Sequence, residues 1–120
     1  MKSIFSITNA EREVMEKLWD QKESIRQSQL LTLFEEDGKE WKRQTLNTFL
    51  ANLEEKGLVV RERRMVKAVY GREEYNLMRM KEEIGHMYGG KLSNFVAAFT
   101  EKNGIDEEEA QALLKILENK

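Results

Sequence analysis

Side chains that can read the bases of duplex DNA lie close together in the middle of this 120-residue chain. Arg43 can form a bidentate hydrogen-bonded pair with guanine, and Gln44 and Asn47 can each form one with adenine, in the major groove. Thr45 and Thr48 can bond phosphates or touch the methyl group of thymine. Residue types in this arrangement favour recognition of nucleic acid.

An apolar stripe predicts that these polar side chains lie on one helix. Leu46, Phe49, Leu50 and Leu53 repeat at helical spacing, and Gly57 is typical of the residue that ends a helix. An ordinary amphipathic helix with a solvated polar face would show the same stripe. If the helix reads DNA, its candidate contact residues are Lys42, Arg43, Gln44, Thr45, Asn47 and Thr48.

Charge is distributed unevenly along the chain. The 20 Lys and Arg and the 22 Asp and Glu residues give a formal net charge of −2, which alone argues against a nucleic-acid partner. Residues 1–72, however, hold 14 basic and 12 acidic residues and carry +2, whereas residues 73–120 carry −4. A basic segment beside an acidic one indicates two regions with different roles.

The basic segment after Gly57 is predicted to form a β-hairpin. Residues 58–63 and 68–70 are rich in β-branched types and predict two strands, with residues 64–67 as the turn. The candidate residues that such a wing would bring to phosphates or to the minor groove are Arg61, Arg63, Arg64 and Lys67. A solvated strand face is the alternative interpretation of this charge.

Two further helices are predicted before the hairpin. Thr8 and Glu11 fit a capping box at the start of the first helix, over residues 8–20. A second apolar run, residues 30–34, predicts a helix that ends near Gly38. Three helices and a hairpin are typical of a winged helix-turn-helix. We therefore predict a mainly α fold with a small β-hairpin wing over residues 1–72.

Residues 73–120 are predicted to form helices, with breaks at residues 89–90 and 103–104. Forty-eight residues are too few to bury a good core of their own, so their apolar stripes need a partner surface. That partner is either residues 1–72 or a second copy of the chain in a helical dimerisation region. The candidate dimer-interface residues are Leu92, Phe95, Val96, Phe99, Leu113 and Leu117.

Missing residue types exclude several classes of function. The chain has no Cys and one His, His86, so thiol chemistry and multi-histidine metal sites are excluded. Without a nucleophile or a pocket-forming pattern, we expect no enzyme, no metal and no cofactor. No apolar run approaches the roughly 18 residues of a membrane span, and no secretory signal is present, so we expect a cytoplasmic protein without membrane insertion.

The order and spacing of short segments resemble a known family over essentially the whole chain. The segments are residues 8–15 with Leu18 and Trp19, then Trp41 with Thr45 and Thr48, residues 56–59, Tyr70, and residues 87–92 with Phe95 and Val96. In these positions the chain is similar to the penicillinase and methicillin-resistance repressors (BlaI/MecI type). Their wider family includes the CopY-type copper repressors.

The resemblance implies a homodimeric transcriptional repressor that reads a palindromic operator through the third helix and the wing. In the penicillinase branch, a membrane sensor and protease system leads to cleavage in the C-terminal region, and the corresponding candidate position here is Ala98–Phe99. Asn52 stands where the family often has arginine, and the lack of Cys excludes copper sensing by a cysteine cluster. A winged helix that binds proteins instead of specific DNA is the alternative.

Overall fold

Six helices and a small antiparallel sheet make up the computed structural model, which describes residues 3–119. The elements in chain order are α1 (Asn9–Trp19), β1 (Ile25–Arg26), α2 (Gln27–Glu36), α3 (Arg43–Glu55), β2 (Val59–Glu62), β3 (Met65–Ala68), α4 (Arg72–Met87), α5 (Leu92–Asn103) and α6 (Glu107–Glu118). This architecture confirms the predicted mainly α fold with a hairpin wing.

The capping box predicted at the start of α1 is confirmed. The backbone N–H of Glu11 donates to Oγ1 of Thr8 at 3.1 Å, and the backbone N–H of Thr8 donates to Oε1 of Glu11 at 2.9 Å. Both bonds satisfy N–H groups that the first turn of a helix leaves without backbone partners. The start of α1 is therefore fixed by two side chains.

The sheet has the strand order β1-β3-β2, with all neighbours antiparallel. Glu62 pairs with Met65, so the turn between β2 and β3 consists of only Arg63 and Arg64. The predicted turn over residues 64–67 is wrong. Arg63 and Arg64 have φ angles of 52° and 68°, which suit a tight two-residue turn, although neither residue is the Gly or Asn expected there.

One hydrophobic core lies in the part of the chain that includes α1 to β3. Its fully or nearly buried members are Val14, Met15, Leu18, Ile25, Leu30, Phe34, Leu46, Leu50, Leu53, Leu58, Val59, Val66 and Tyr75. Tyr75, on α4, donates its hydroxyl hydrogen to the carbonyl of Ile4 at 3.1 Å and packs its ring against Phe5 and Trp19. The first turn of α4 thus completes this core.

The chain divides into two compact units between Met78 and Arg79, within α4. In the second unit, no described residue of α5 or α6 is buried. Phe95 contacts the rings of Tyr88 and Phe99, with centroid distances of 5.3 and 6.2 Å. The predicted helix breaks at residues 89–90 and 103–104 are confirmed, and Gly89, Gly90 and Gly104 there have positive φ angles.

A buried ion pair joins the start of α1 to the end of α3. Glu11 is 2 % exposed, and Nζ of Lys56 lies 2.7 Å from its Oε1 and 2.8 Å from the carbonyl oxygen of Ser6. Burial alone would raise the pKa of the Glu11 carboxyl group. Hydrogen bonds from Lys56 and from the backbone of Thr8, the positive charge of Lys56 and a hydrogen bond from Asn52 together hold that pKa below its usual value.

We expect Glu11→Gln to lower the free energy of unfolding by about 3 kcal/mol, because the charge of Lys56 would stay buried without its counter-ion. Urea denaturation at neutral pH measures this. The matched control is Glu13→Gln, which removes an exposed ion pair with Lys39 and should cost less than about 1 kcal/mol. Equal losses for the two variants would contradict the role of the buried pair.

The same pair predicts a pH dependence. Because folding lowers the pKa of Glu11 from 4.5, its ionised form stabilises the folded state above pH 4.5. That contribution is lost as the pH falls through the lower pKa of the folded state. The stability difference between the parent and Glu11→Gln should therefore shrink as the pH falls below 4.5, and a constant difference would contradict this.

Candidate nucleic-acid interface

Helix α3 presents a polar face because its apolar stripe is buried. Leu46, Leu50 and Leu53 have no exposed surface, so the remaining side of the helix faces solvent. Of the residues predicted to contact DNA, Thr45 is half-buried and the others are exposed, namely Lys42, Arg43, Gln44, Asn47 and Thr48. The hydroxyl of Thr48 donates to the carbonyl oxygen of Gln44 at 3.1 Å, so its hydrogen is used within the helix.

A cleft of about 700 Å³ lies between the start of α2, the start of α3 and the wing turn. The described residues that line it include three arginines and no acidic residue, so the cleft is basic despite the negative total charge. They are Arg26, Gln27, Ser28, Leu31, Arg43, Gln44, Leu46, Asn47 and Arg64. Guanidinium and amide groups around one opening can bond both phosphates and base edges.

The wing turn holds two exposed arginines in a strained backbone conformation. Positive φ angles are uncommon for residues with side chains, and both Arg63 and Arg64 have them. The carbonyl of Arg64 accepts a hydrogen bond from the backbone N–H of Gln27 at 3.0 Å. The turn is therefore attached to the start of α2, at the edge of the cleft.

The other two predicted wing residues have different environments. Lys67 is exposed on β3, whereas Arg61, on β2, lies against α3. Its guanidinium donates to Oδ1 of Asn47 at 2.8 Å and forms an ion pair with Glu54 at 3.0 Å. The structure thus brings together Arg43, Gln44, Asn47 and Arg64 at the cleft. Arg61 does not line the cleft but is bonded to Asn47.

A match to a family model covers both units of this fold. The model describes the penicillinase repressor, and it matches residues 7–119. The chain belongs to the penicillinase repressor family. This confirms the resemblance drawn from the sequence and makes the chain a member of a family of transcription regulators, not of enzymes. A comparison with curated proteins gives no match.

Two exposed residues that line the cleft of this member of the penicillinase repressor family are not predicted as site residues from the sequence. Arg26 is exposed just before α2, and Ser28 is in its first turn. In a helix-turn-helix, the helix that precedes the recognition helix crosses the DNA backbone. Here that helix is α2, so a basic residue directly before it is the signal that could have identified Arg26. Nothing in the sequence groups Arg26 with the predicted contact residues, because it lies 16 positions before the first of them, Lys42.

The candidate residues of the second unit all lie on α5 and α6. Leu92, Phe99, Leu113 and Leu117 are exposed, and Phe95 and Val96 are half-buried. The candidate cleavage residues, Ala98 and Phe99, are both exposed on α5.

The single histidine, His86, is exposed on α4, and its Nε2 lies 3.7 Å from Oε1 of Glu82 one turn earlier. Within residues 3–119, no group of acidic and histidine side chains could hold a metal ion, and no helix is both long and apolar enough to cross a bilayer.

The wing turn generates a prediction about stability. Arg64→Gly should raise the free energy of unfolding by about 1 kcal/mol, because glycine adopts a positive φ without strain. Urea denaturation measures the change. The control Lys67→Gly also removes one charge but lies within β3, where glycine should destabilise by roughly 0.5–1 kcal/mol. A less stable Arg64→Gly variant would show that the turn is not strained.

Proposed function

We propose that the chain is a homodimeric, sequence-specific repressor that binds a palindromic DNA operator. In this proposal, α3 lies in the major groove of each half-site and the wing contacts the adjacent backbone or minor groove. Family membership supports a role in repression. The observation that carries the DNA-binding part is the basic cleft formed by α2, α3 and the wing turn.

The chemistry of the cleft suits a duplex better than a small anion. Arg43, Gln44 and Asn47 project from the first two turns of a helix, and an α-helix fits the width of the major groove. Arg63 and Arg64 extend from the tip of a hairpin, where they can reach phosphates beside that groove. Base-edge contacts and phosphate contacts would then come from different elements of one unit.

Exposed apolar side chains in the second unit support the dimer. The large apolar residues of this unit that would lie in water on a lone chain are Met80, Met87, Leu92, Phe99, Ile105, Leu113, Leu114, Ile116 and Leu117. So much exposed apolar surface within one unit is typical of a chain that associates with another molecule. A second copy is the partner we propose, because a two-fold axis would place two α3 helices on a palindromic site.

We also propose, from the family resemblance, that cleavage between Ala98 and Phe99 releases the repressor from DNA. Ala98 and Phe99 lie within α5, so a protease would need that helix to open locally. The absence of buried residues in α5 favours such opening, since few contacts within the chain oppose it. A membrane sensor and protease system is the proposed partner for this step.

A winged helix that binds another protein is the second candidate. The net charge of −2 and the acidic second region favour it, because they oppose association with DNA. Retained binding to a protein partner without any duplex binding at low salt would select this candidate.

The proposal predicts how arginine variants bind a duplex selected from a random pool. Arg43→Ala should weaken binding to the selected duplex about 5- to 150-fold and leave binding to random duplex much less affected, because it removes a base contact. Arg63→Ala should weaken binding to all sequences and reduce the slope of log K against log salt by about 0.9. Fluorescence anisotropy measures both.

The matched control is Arg12→Ala, which removes a partly exposed arginine of α1 that forms an ion pair with Glu16 and does not line the cleft. It should leave binding to the selected and random duplexes unchanged within about twofold, because Arg12 lies outside the cleft. Its partly exposed ion pair should also contribute little to the stability of the fold. If Arg43→Ala bound both duplexes as the parent does, α3 would not be the reading helix.

The dimer predicts a second result. Phe99→Glu and Leu117→Glu place a charge on residues that are 53 % and 64 % exposed, and each should shift the protein from twice the mass of one chain to one chain in light scattering at micromolar concentration. Val60→Glu is the control, because Val60 is also 53 % exposed but lies on the wing. A monomeric parent would contradict the dimer.

A further inference from the structure

Arg61 differs from the other wing arginines because its side chain is on the inner face of the hairpin. Successive side chains of a strand point to opposite faces, so Arg61 shares its face with the buried Val59. It also pairs across the hairpin with Val66, which is buried as well. The pleat therefore directs Arg61 toward the rest of the domain, whereas Val60 and Glu62 are on the exposed face.

The guanidinium of Arg61 connects two residues on one side of α3. Asn47 and Glu54 are seven residues apart, which places them on the same side of a helix two turns apart. Arg61 donates from one terminal nitrogen to Oδ1 of Asn47 at 2.8 Å. It donates from Nε and the other terminal nitrogen to Oε1 of Glu54 at 3.3 and 3.0 Å.

These contacts engage all three nitrogens of Arg61 and compensate its charge. The carboxylate of Glu54 is the counter-ion, and the side chain of Arg61 is only 22 % exposed. The terminal nitrogen that bonds Asn47 also lies 3.5 Å from Oε1 of Gln27 at the start of α2. Four of the five N–H groups of Arg61 have partners, so a phosphate could bind it in a bidentate way only by replacing one of them, whereas Arg63 and Arg64 are exposed.

The bond from Arg61 also fixes the orientation of the Asn47 amide. The carbonyl oxygen of Asn47 accepts from the guanidinium, which restricts rotation of the amide and so fixes the direction of its NH₂ group as well. A bidentate pair with adenine needs the carbonyl oxygen to accept from N6 while the NH₂ group donates to N7. The oxygen keeps a second lone pair for a base, so the bond from Arg61 fixes the direction in which Asn47 presents its donor and its acceptor without using up the acceptor.

We infer that Arg61 is a positioning residue that determines the base preference of Asn47. Held by Arg61, the Asn47 amide presents its donor and its remaining acceptor position in one fixed direction, so it favours the base whose major-groove edge complements that arrangement. The adenine contact expected from the sequence for Asn47 stays a prediction, because a carbonyl oxygen that accepts from Arg61 can still accept from N6 of adenine. The inference rests on the proposed DNA-binding function and assigns the specificity of one position within it.

The first experiment compares base preferences at every position of the selected site for the parent and for Arg61→Met. We expect the preference at one base pair in each half-site to fall about two- to tenfold, as for one lost hydrogen bond, because the Asn47 amide is then free to rotate. Preferences at other positions and the salt slope should stay unchanged. Arg63→Met is the matched control, with a reduced slope and unchanged preferences.

A double-mutant cycle tests whether Arg61 acts through Asn47. In the Asn47→Ala background, Arg61→Met should cause no further change at that base pair, because the group that Arg61 positions is absent. Thermal unfolding followed by circular dichroism verifies that each variant is folded. Should Arg61→Met unfold, Arg61→Lys replaces it: lysine keeps the charge, but one ammonium group cannot reproduce the fork that bonds Asn47 and Glu54.

Two results would overturn the inference. One is an Arg61 variant that keeps the parent's base preferences and lowers the salt slope by about 0.9, which would indicate a phosphate contact. The other is a full effect of Arg61→Met in the Asn47→Ala background. A parent protein that selects no sequence from the pool would instead contradict the proposed function itself, so the two failures are distinguishable.

Discussion

The burial of Leu46, Leu50 and Leu53 is the constraint on which the candidate DNA surface depends. A helix advances 100° per residue, so three buried leucines on one stripe fix its rotation about its own axis. Turning α3 by one residue would expose leucine, at about 2 kcal/mol for each side chain, and would bury arginine or asparagine. The identity of the side chains that face solvent therefore follows from the core.

The position of α3 is further fixed at two points along its length. Lys56, directly after its last residue, forms the buried ion pair with Glu11 of α1, and Asn47 near its start is bonded to Arg61 of the wing. The backbone bond between Gln27 and Arg64 attaches the wing turn to α2. The side chains that would contact DNA thus project from a helix, a turn and a strand that are hydrogen-bonded to one another. Because these elements are already ordered in the free protein, DNA binding would cost less conformational entropy.

The regular elements could be predicted from the sequence because each has a local signal. The capping box at Thr8 and the glycine breaks near residues 89 and 104 depend on residues adjacent in the chain. The wing turn was predicted wrongly because local propensity disfavours arginine at positive φ, and pairing between the strands overrides it. Family membership was visible in the order of short segments, each of which is weak alone.

The missed parts of the candidate site depend on residues far apart in the chain. Nothing near Arg61 in the sequence indicates that its guanidinium reaches Asn47 and Glu54, because that contact requires both the strand pleat and the rotation of α3. Arg26 joins the cleft only when β1 pairs with β3. The hydrophobic core contains a similar case, because the hydroxyl of the buried Tyr75 donates to the carbonyl oxygen of Ile4, 71 residues earlier in the chain.

The contrast between the two units links folding to the proposed function. The first unit buries thirteen hydrophobic residues, whereas α5 and α6 bury none of those described. In the proposed dimer, the second unit gains full burial of its apolar residues by association, so its stability depends on protein concentration. When one DNA-binding domain of the dimer is bound to its half-site, the second domain meets the other half-site at a high effective concentration. Any event that opens α5 and separates the two copies would therefore lower the affinity for DNA without changing α3.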